Sequence, residues 1–352
     1  RRYCIMSYKQ MTGNIISATK VEPAGKFTDS AASGVWNLQD AYDYTRGANW
    51  PNAANAAPSG LIAGVGATGG SYTNVIDFIV IATTGNSTDF GDRTVSTWKL
   101  SAFGSSTRGM FNGGQTDDRL DTIDFVTIAS TGNATDFGDQ STVSRFGTSL
   151  SNNVRGVMAL GDTDASVNSD VMDYVTIAST GNATDFGNLS LGRFSLAGCA
   201  STTRGLFAGG YNGGNKNIID YITIGSTGNA TDFGDLSATS NNSSGCASNT
   251  RGLFALGYTS NYSDTIEYVT IANTGNVTDF GNLTEAKHNM LSVCSNLRGI
   301  FAGGSSSSGN ATIATMDYVT IASAGNASDF GDLSAVTLNG AGCSGSHGGI
   351  AA

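Results

Sequence analysis

The sequence has few of the residues on which several classes of protein depend. Only 18 of its 352 residues are Lys or Arg, and the net charge is −10, so no nucleic-acid-binding surface is expected. No run of 18 apolar residues occurs, and we therefore expect no membrane insertion. The only histidines are His288 and His347, and neither belongs to a recognisable Ser–His–Asp or Cys–His arrangement. We accordingly expect a protein that is not an enzyme.

The five cysteines argue against a disulfide framework, because their number is odd and their spacing is unpaired. Four of them, Cys199, Cys246, Cys294 and Cys343, fall at equivalent places in successive copies of a repeat. One thiol per copy does not supply the several converging ligands that a metal ion needs. We therefore predict that these cysteines are small, buried residues of an inner strand and that the chain holds no metal on them.

What the sequence does contain is an internal repeat of about 47 residues. One phrase reads DFVTIASTGNATDFGD from Asp124 and DYVTIASTGNATDFGN from Asp173. A second phrase, RGLFAGG from Arg204, recurs with small changes in the other copies. A weak first copy of this second phrase starts at Ser59, and a shortened last copy starts at Gly348.

The spacing within the repeat is constant in one part and variable in another. Each acidic residue that opens the first phrase lies 31 positions before the next Arg-Gly position, as from Asp77 to Arg108. The distance from an Arg-Gly position to the next acidic residue varies between 16 and 19. Four short strands fit each copy, with a Ser-Thr-Gly-Asn hairpin turn between strands 3 and 4. Four strands in about 47 residues predict an all-β protein, a β-propeller with four-stranded blades.

The phrases also resemble those of known proteins. The Gly-Gly after an apolar strand, the polar loop and the Asp-aromatic strand resemble the Kelch repeat, with Phe where Kelch repeats usually carry Trp. STGNATDFGDLS, RGLFAGG and the N-terminal phrase SGVWNLQDAYDYTRGANWP look like Kelch-like structural and tail proteins of marine bacteriophages, especially cyanophages. The resemblance implies a protein of the virion, exposed on the surface of the extracellular particle.

The two ends of the chain determine the expected number of blades. Strand 2 occurs seven times, and residues 14–30 align with strands 3 and 4 of a later copy, so we expect seven blades, with six as the alternative. Residues 34–46 place Val35, Leu38 and Tyr42 on one face of a short helix. We expect an N-terminal arm or adaptor over residues 1–58 and the propeller over residues 59–352.

Several repeated residues are predicted to be structural. We expect the Arg of each Arg-Gly to pair with the acidic residue 16–19 positions further on, because a guanidinium can hold a carboxylate with two bonds; an anion-binding ring is the alternative. The Phe of each DFG phrase is expected to pack between blades. No cofactor is expected, and Ca²⁺ at pairs such as Asp136 and Asp139 is the weaker alternative. The predicted structural set is Arg108, Arg155, Arg204, Arg251, Arg298, Asp124, Asp173, Asp220, Phe137, Phe186 and Phe233.

Alternation of strand direction predicts two different faces. The 1–2 and 3–4 turns lie on one face, and the 2–3 and 4–1 connections lie on the other. The variation in length sits in the 2–3 loops, which carry Tyr among Ser, Asn and Gly, a composition typical of recognition surfaces. The candidate binding residues are Tyr72, Tyr211, Tyr258, Tyr262, Asp117 and Asp164.

Together these observations predict a non-enzymatic virion protein, a tail-fibre or surface-appendage propeller. Its expected partners are a host-surface glycan or protein, or other virion proteins, and a homo-oligomer on the particle is compatible with this. The second hypothesis is a purely structural capsid or tail decoration or assembly module. The third is a polysaccharide-degrading enzyme, because aspartates are plentiful, although no blade carries a distinctive acidic pair.

Overall fold

The computed structural model describes residues 58–164 and 168–350, and every regular element among them is a β-strand. The strands form six antiparallel four-stranded sheets, one of which is extended by the two-residue strand Asp162–Thr163. The innermost strand of each sheet contacts the innermost strands of both neighbouring sheets, so the ring closes. The described residues therefore form a six-bladed β-propeller around a central channel.

The blades are numbered I to VI, and the strands of each are numbered 1 to 4 from the channel outward. Blade I consists of Ala341–Ser344, Ser59–Ala63, Thr73–Val80 and Thr88–Thr97, and blade II of Ser101–Gly104, Arg108–Asn112, Leu120–Thr127 and Thr135–Arg145. Blade III consists of Thr148–Ser151, Arg155–Ala159, Val171–Thr176 and Thr184–Asn188, and blade IV of Ala197–Ala200, Arg204–Ala208, Lys216–Thr223 and Thr231–Ser240. Blade V consists of Ser244–Ala247, Arg251–Ala255, Thr265–Thr270 and Thr278–Asn282, and blade VI of Leu291–Cys294, Arg298–Ala302, Thr315–Thr320 and Ser328–Asp332. A further short pair joins Lys287–His288 to Ser305–Ser306.

Closure of the ring corrects the expected number of blades from seven to six. Strand Ala341–Ser344 from the C-terminal end pairs with Ser59–Ala63, so both ends of the described chain share blade I. The copy of the second phrase at Gly348, which suggested a seventh blade, lies in turns after the last strand. The expected strands at 14–30 and the expected helix at 34–46 lie outside the described residues.

The core lies between the blades, because strand 3 of each blade carries apolar residues on both of its faces. Phe233 of blade IV belongs to a buried cluster that includes Phe254, Val269 and Ile271 of blade V. Phe137 and Phe186 belong to equivalent clusters with the next blades, which confirms that the DFG phenylalanines pack between blades. No helix of the described residues could cross a membrane.

The cysteines lie where the sequence predicts, in strand 1 beside the channel. Cys199, Cys246, Cys294 and Cys343 are all buried and form no disulfide. Burial raises the pKa of the Cys199 thiol, and it raises the pKa of Cys343 to about 12. Cys199 and Cys343 are therefore protonated at neutral pH and are poor nucleophiles.

The Arg of each Arg-Gly phrase joins its own blade to the next one. The Arg108 guanidinium lies over the Phe125 ring, 4.4 Å from the ring centroid, and donates to the carbonyl oxygen of Ile177 in blade III at 2.7 Å. The expected pairing with the following acidic residue is wrong, because strand register places Asp124 opposite Phe111, away from the strand end where Arg108 lies. The same pair of contacts is made by Arg155, Arg204, Arg251 and Arg298.

The buried acidic residue of strand 3 pairs instead with the preceding blade. Asp220 is fully buried and accepts hydrogen bonds from the hydroxyl of Ser190, at 2.6 Å, and from its backbone N–H, at 3.2 Å. Ser190 follows the DFG phrase of blade III, so this bond ties strand 4 of one blade to strand 3 of the next. Equivalent Ser or Thr hydroxyls hold Asp77, Asp124, Asp173, Glu267 and Asp317.

A buried cation accompanies these acids only at every second blade. Arg93 lies 3.0 Å from Asp124, Arg193 lies 2.9 Å from Asp220, and Lys287 lies 3.0 Å from Asp317, and all six side chains are at most 1% exposed. In the described part of the chain, the acids of the other three blades have no cationic partner. Burial accordingly raises the pKa values of Asp173 and Glu267.

Candidate functional site

The two faces of the propeller are assigned as the sequence predicts. Isolated bridges join the 4–1 connection to the 2–3 loop, as between Phe194 and Tyr211 and between Asn241 and Tyr258. The 2–3 loops and 4–1 connections therefore share one face, here called the variable face. The 1–2 and 3–4 turns form the opposite, constant face.

On the variable face, a ring of six residues surrounds the mouth of the central channel. Each residue of this mouth ring donates its backbone N–H to the carbonyl oxygen of its counterpart one blade back, at 2.8–3.1 Å, and the six bonds close on themselves. All six residues have φ between 52° and 59°. This conformation is common for Asn but strained for other residues, and such strain accumulates at functional sites. The mouth ring is Lys99, Phe146, Ser195, Asn242, Asn289 and Asn339.

The residues immediately before the mouth ring carry a different side chain in each blade. In most blades each of them pairs with the third residue after strand 2, as Trp98 does with Gln115 and Arg145 with Asp162. Three of them, Trp98, Asn241 and His288, carry a buried side-chain atom with no hydrogen-bond partner among the described residues. We call these residues the rim, which consists of Trp98, Arg145, Phe194, Asn241, His288 and Leu338.

The predicted binding residues lie on the variable face but in separate groups. Tyr72 contacts Asp117 through its hydroxyl, at 3.4 Å, between the loops of blades I and II. Asp164 pairs with Arg119 at 2.6 Å. The remaining residues lie beside the rim: the Tyr211 ring centroid is 5.5 Å from that of Phe194, and Tyr258 and Tyr262 pack against each other and against His288.

The rim and the mouth ring are candidate binding residues that the sequence prediction missed, because that prediction relied on variation in loop length. Variation in length marks only the 2–3 loops, because the 4–1 connections lie within the constant 31-residue part of the repeat. A signal for them exists in the sequence: aligned copies of the repeat agree closely over DFG, yet carry Trp98, Arg145, Phe194, Asn241 and His288 at one equivalent position.

Positive charge is concentrated in one part of this face. Lys99, Arg119 and Arg145 surround Gln115, whose side-chain oxygen accepts from Lys99 at 3.2 Å and also from Arg145. Asp162 pairs with both arginines. Burial, followed by the nearby Arg145, lowers the pKa of Lys99 to about 8. An ammonium with a lowered pKa and no carboxylate in contact can accept an anionic partner.

The channel itself is lined by the small residues of strand 1 and holds a cavity of about 160 Å³. Its end at the constant face is covered by the turns that follow the last strand. There His347 accepts the backbone N–H of Gly349 at Nδ1 and approaches the Gly104 carbonyl oxygen at 3.2 Å through Nε2, so the neutral ring fits both contacts. Burial lowers the pKa of His347 to about 4. Among the described residues, these turns leave open only the end of the channel at the variable face.

No group of three or more His, Cys, Asp or Glu side chains in the described ranges is arranged to hold a metal ion. Asp136 and Asp139, which were considered for Ca²⁺, lie in strand 4 of blade II, where Asp136 pairs with Asp124 of strand 3. No family model matches the chain, and the search of curated proteins likewise found none similar to it.

Proposed function

We propose that this chain is a non-catalytic recognition propeller of a phage virion that binds a host-surface glycan or protein through its variable face. The observation that carries the proposal is the divergence of the rim within an otherwise uniform repeat. Structural residues, such as the DFG phenylalanines and the Arg-Gly arginines, recur in blade after blade with the same contacts. The rim instead carries a different side chain in each blade, Trp98 in one and His288 in another, as expected of a surface whose blades contact different parts of a ligand.

The chemistry of the variable face supports ligand binding. Aromatic side chains on adaptable polar loops offer a large contact area at low entropic cost. Tyr72, Tyr211 and Tyr258 are 36–39% exposed, although apolar rings of this size are usually more deeply buried. The Kelch-like assignment and the tail-fibre or surface-appendage location remain part of this proposal and depend on the resemblance of the repeated phrases.

Three kinds of residue that could act in catalysis, a histidine, a cysteine and the acids of strand 3, are in environments that do not suit it. The neutral His347 is bonded within the turns that cover the channel, and its lowered pKa makes it a weak base. The buried Cys199 thiol has a raised pKa. The acidic residues of strand 3 are buried between blades, where no substrate reaches them.

The test is a loop exchange. The 2–3 loops at residues 211–215 and 258–264 are replaced by Gly-Ser segments of equal length, and binding to a panel of bacterial surface polysaccharides and whole cells is measured. We expect the parent to bind at least one target and the exchanged protein to lose it. The matched control carries Thr131→Ala, Thr180→Ala and Thr227→Ala, which alter exposed turn residues of the constant face.

If the parent and the exchanged protein bind equally well, or if neither binds, the recognition proposal is wrong and a structural decoration module becomes the better account. Release of reducing ends from a bound polysaccharide would contradict the non-catalytic assignment.

A further inference from the structure

The region that carries this inference lies over blade II on the variable face and is here called the basic sector. It combines residues of two successive 4–1 connections with residues of the blade II loop between them. Its members are Trp98, Lys99, Gln115, Arg119, Arg145 and Phe146.

In the described part of the chain, the three cations of the basic sector outnumber the two carboxylates that contact them. Asp162 contacts both Arg119 and Arg145, at 3.0 and 2.6 Å, and Asp164 contacts Arg119 at 2.6 Å. Lys99 has no carboxylate in contact among the described residues and shares the neutral oxygen of Gln115 with Arg145. Two cations thus converge on one uncharged acceptor, where a carboxylate would give stronger, charge-assisted bonds. This arrangement occurs in a chain whose net charge is −10.

Aromatic rings surround the uncompensated ammonium. The Lys99 Nζ lies 3.7 Å from the ring centroid of Trp98 and 4.6 Å from that of Phe146. The row of rings continues from Phe146 to Phe194 at 5.9 Å and to Tyr211 at 5.5 Å. Small-ligand sites commonly combine such apolar and aromatic walls with a few polar groups that fix orientation.

Two donors of the basic sector also lack partners. Trp98 Nε1 and Arg119 Nε are buried, and neither finds a hydrogen-bond acceptor within the described protein. A buried donor without an acceptor is costly, so a ligand whose oxygen atoms draw either side chain outward to an acceptor would relieve that cost. Hydroxyl and ring oxygens beside a carboxylate would provide these acceptors in one molecule.

We propose that the basic sector binds a carboxylate-bearing saccharide, with the carboxylate at Lys99 and Arg145 and the sugar ring against Phe146 and Phe194. The inference rests on the proposed function, since it names the class of ligand that the variable face recognises. A simple anion would satisfy the charge alone, whereas a saccharide also satisfies the aromatic row and the free donors.

The experiment uses the full chain and a panel of uronate- and nonulosonate-containing oligosaccharides, each measured beside its neutral methyl ester by calorimetry. We expect at least one acid to bind about tenfold or more tightly than its ester, because charge-assisted bonds are lost in the ester. Lys99→Gln should remove this preference and Lys99→Arg should retain it. Lys216→Gln, which removes a charge outside the basic sector, should leave it unchanged.

Three outcomes would overturn the inference: no acid preferred over its ester, a preference that survives Lys99→Gln, or acetate binding as tightly as the saccharides. Failure here is distinguishable from failure of the proposed function. If the loop exchange abolishes binding to a surface polysaccharide while no acid is preferred, the variable face recognises a neutral ligand and only the present inference is wrong.

Discussion

Neutralising Asp220 should destabilise the propeller far more than neutralising Asp173, although the two carboxylates occupy the same place in the repeat. Asp220 faces the buried guanidinium of Arg193, whose remaining bonds go to backbone carbonyl oxygens. In Asp220→Asn that charge stays buried without its counter-ion. Removal of one partner from a buried ion pair typically costs about 3–5 kcal/mol of unfolding free energy.

Asp173 has no such cation and is bonded by the N–H and hydroxyl of Ser141, at 2.8 and 3.0 Å. In Asp173→Asn about one charge-assisted bond is weakened, a loss on the order of 1.5–3 kcal/mol. The substitution also removes the desolvation cost of a buried charge, which is of similar size and opposite sign. We therefore expect a net change within about 1 kcal/mol of zero.

The measurement is denaturant unfolding of both variants and the wild type. Where the dependence of unfolding free energy on denaturant has the same slope, the shift in midpoint reports the change in stability. Asp173 adds a pH signature. Because burial raises its pKa, the folded chain binds this proton more readily than the unfolded chain, and the wild type loses stability as pH rises through that interval. Asp173→Asn should therefore gain stability relative to the wild type as pH rises above about 4, the ordinary pKa of an Asp side chain. Equal losses in the two variants, or no pH dependence of the difference, would refute the reasoning.

Three further predictions concern the blades, the channel and the thiols. Gly234→Ala places a methyl group 2.4 Å from the Gly275 carbonyl oxygen of the next blade and should lower the free energy of unfolding by about 1–3 kcal/mol or more. Gly225→Ala places its methyl group in open space, so it should be neutral or stabilise the protein by about 0.4–1 kcal/mol. Thermal melts that rank the two variants in the opposite order would contradict the packing between blades. Because burial lowers the pKa of His347, the protein should lose stability as pH falls from about 6.5 to about 4. Amide hydrogen exchange in the last described turns measures this loss. If His347→Gln loses protection in acid to the same extent, His347 is not its source. Cys199 should resist thiol reagents at pH 8 until the protein unfolds, and rapid labelling of the native protein would show that the channel wall opens.

The sequence was sufficient for the class of fold and for the two faces, because a repeat with a constant frame specifies the same four strands each time. The number of blades could not be read from the copies alone. The phrase at Gly348 matches strand 2 in composition, but among the described residues no neighbouring strand remains for it to pair with once Ala341–Ser344 has joined blade I. Counting phrases therefore overestimates blades when the ring closes within one of them.

The pairing of charges depended on register and could not be predicted from spacing. Sequence separation relates Arg108 to Asp124, whereas the structure pairs Asp124 with Arg93 of the preceding blade. The cations occur at irregular places, four residues after Asp89 in one blade and eight residues after the corresponding Asp in blades III and V, so no periodic signal marks them. The rim was detectable as a position of divergence, but its place around the channel mouth depends on the closed ring.

The central claim, that the variable face is the recognition surface, is tested most directly by hydrogen–deuterium exchange of the protein with and without a captured surface polysaccharide. The account predicts that binding slows exchange in the 4–1 connections and 2–3 loops around the channel mouth, including residues 98–99 and 145–146. Slower exchange confined to the Ser-Thr-Gly-Asn turns of the constant face would contradict it.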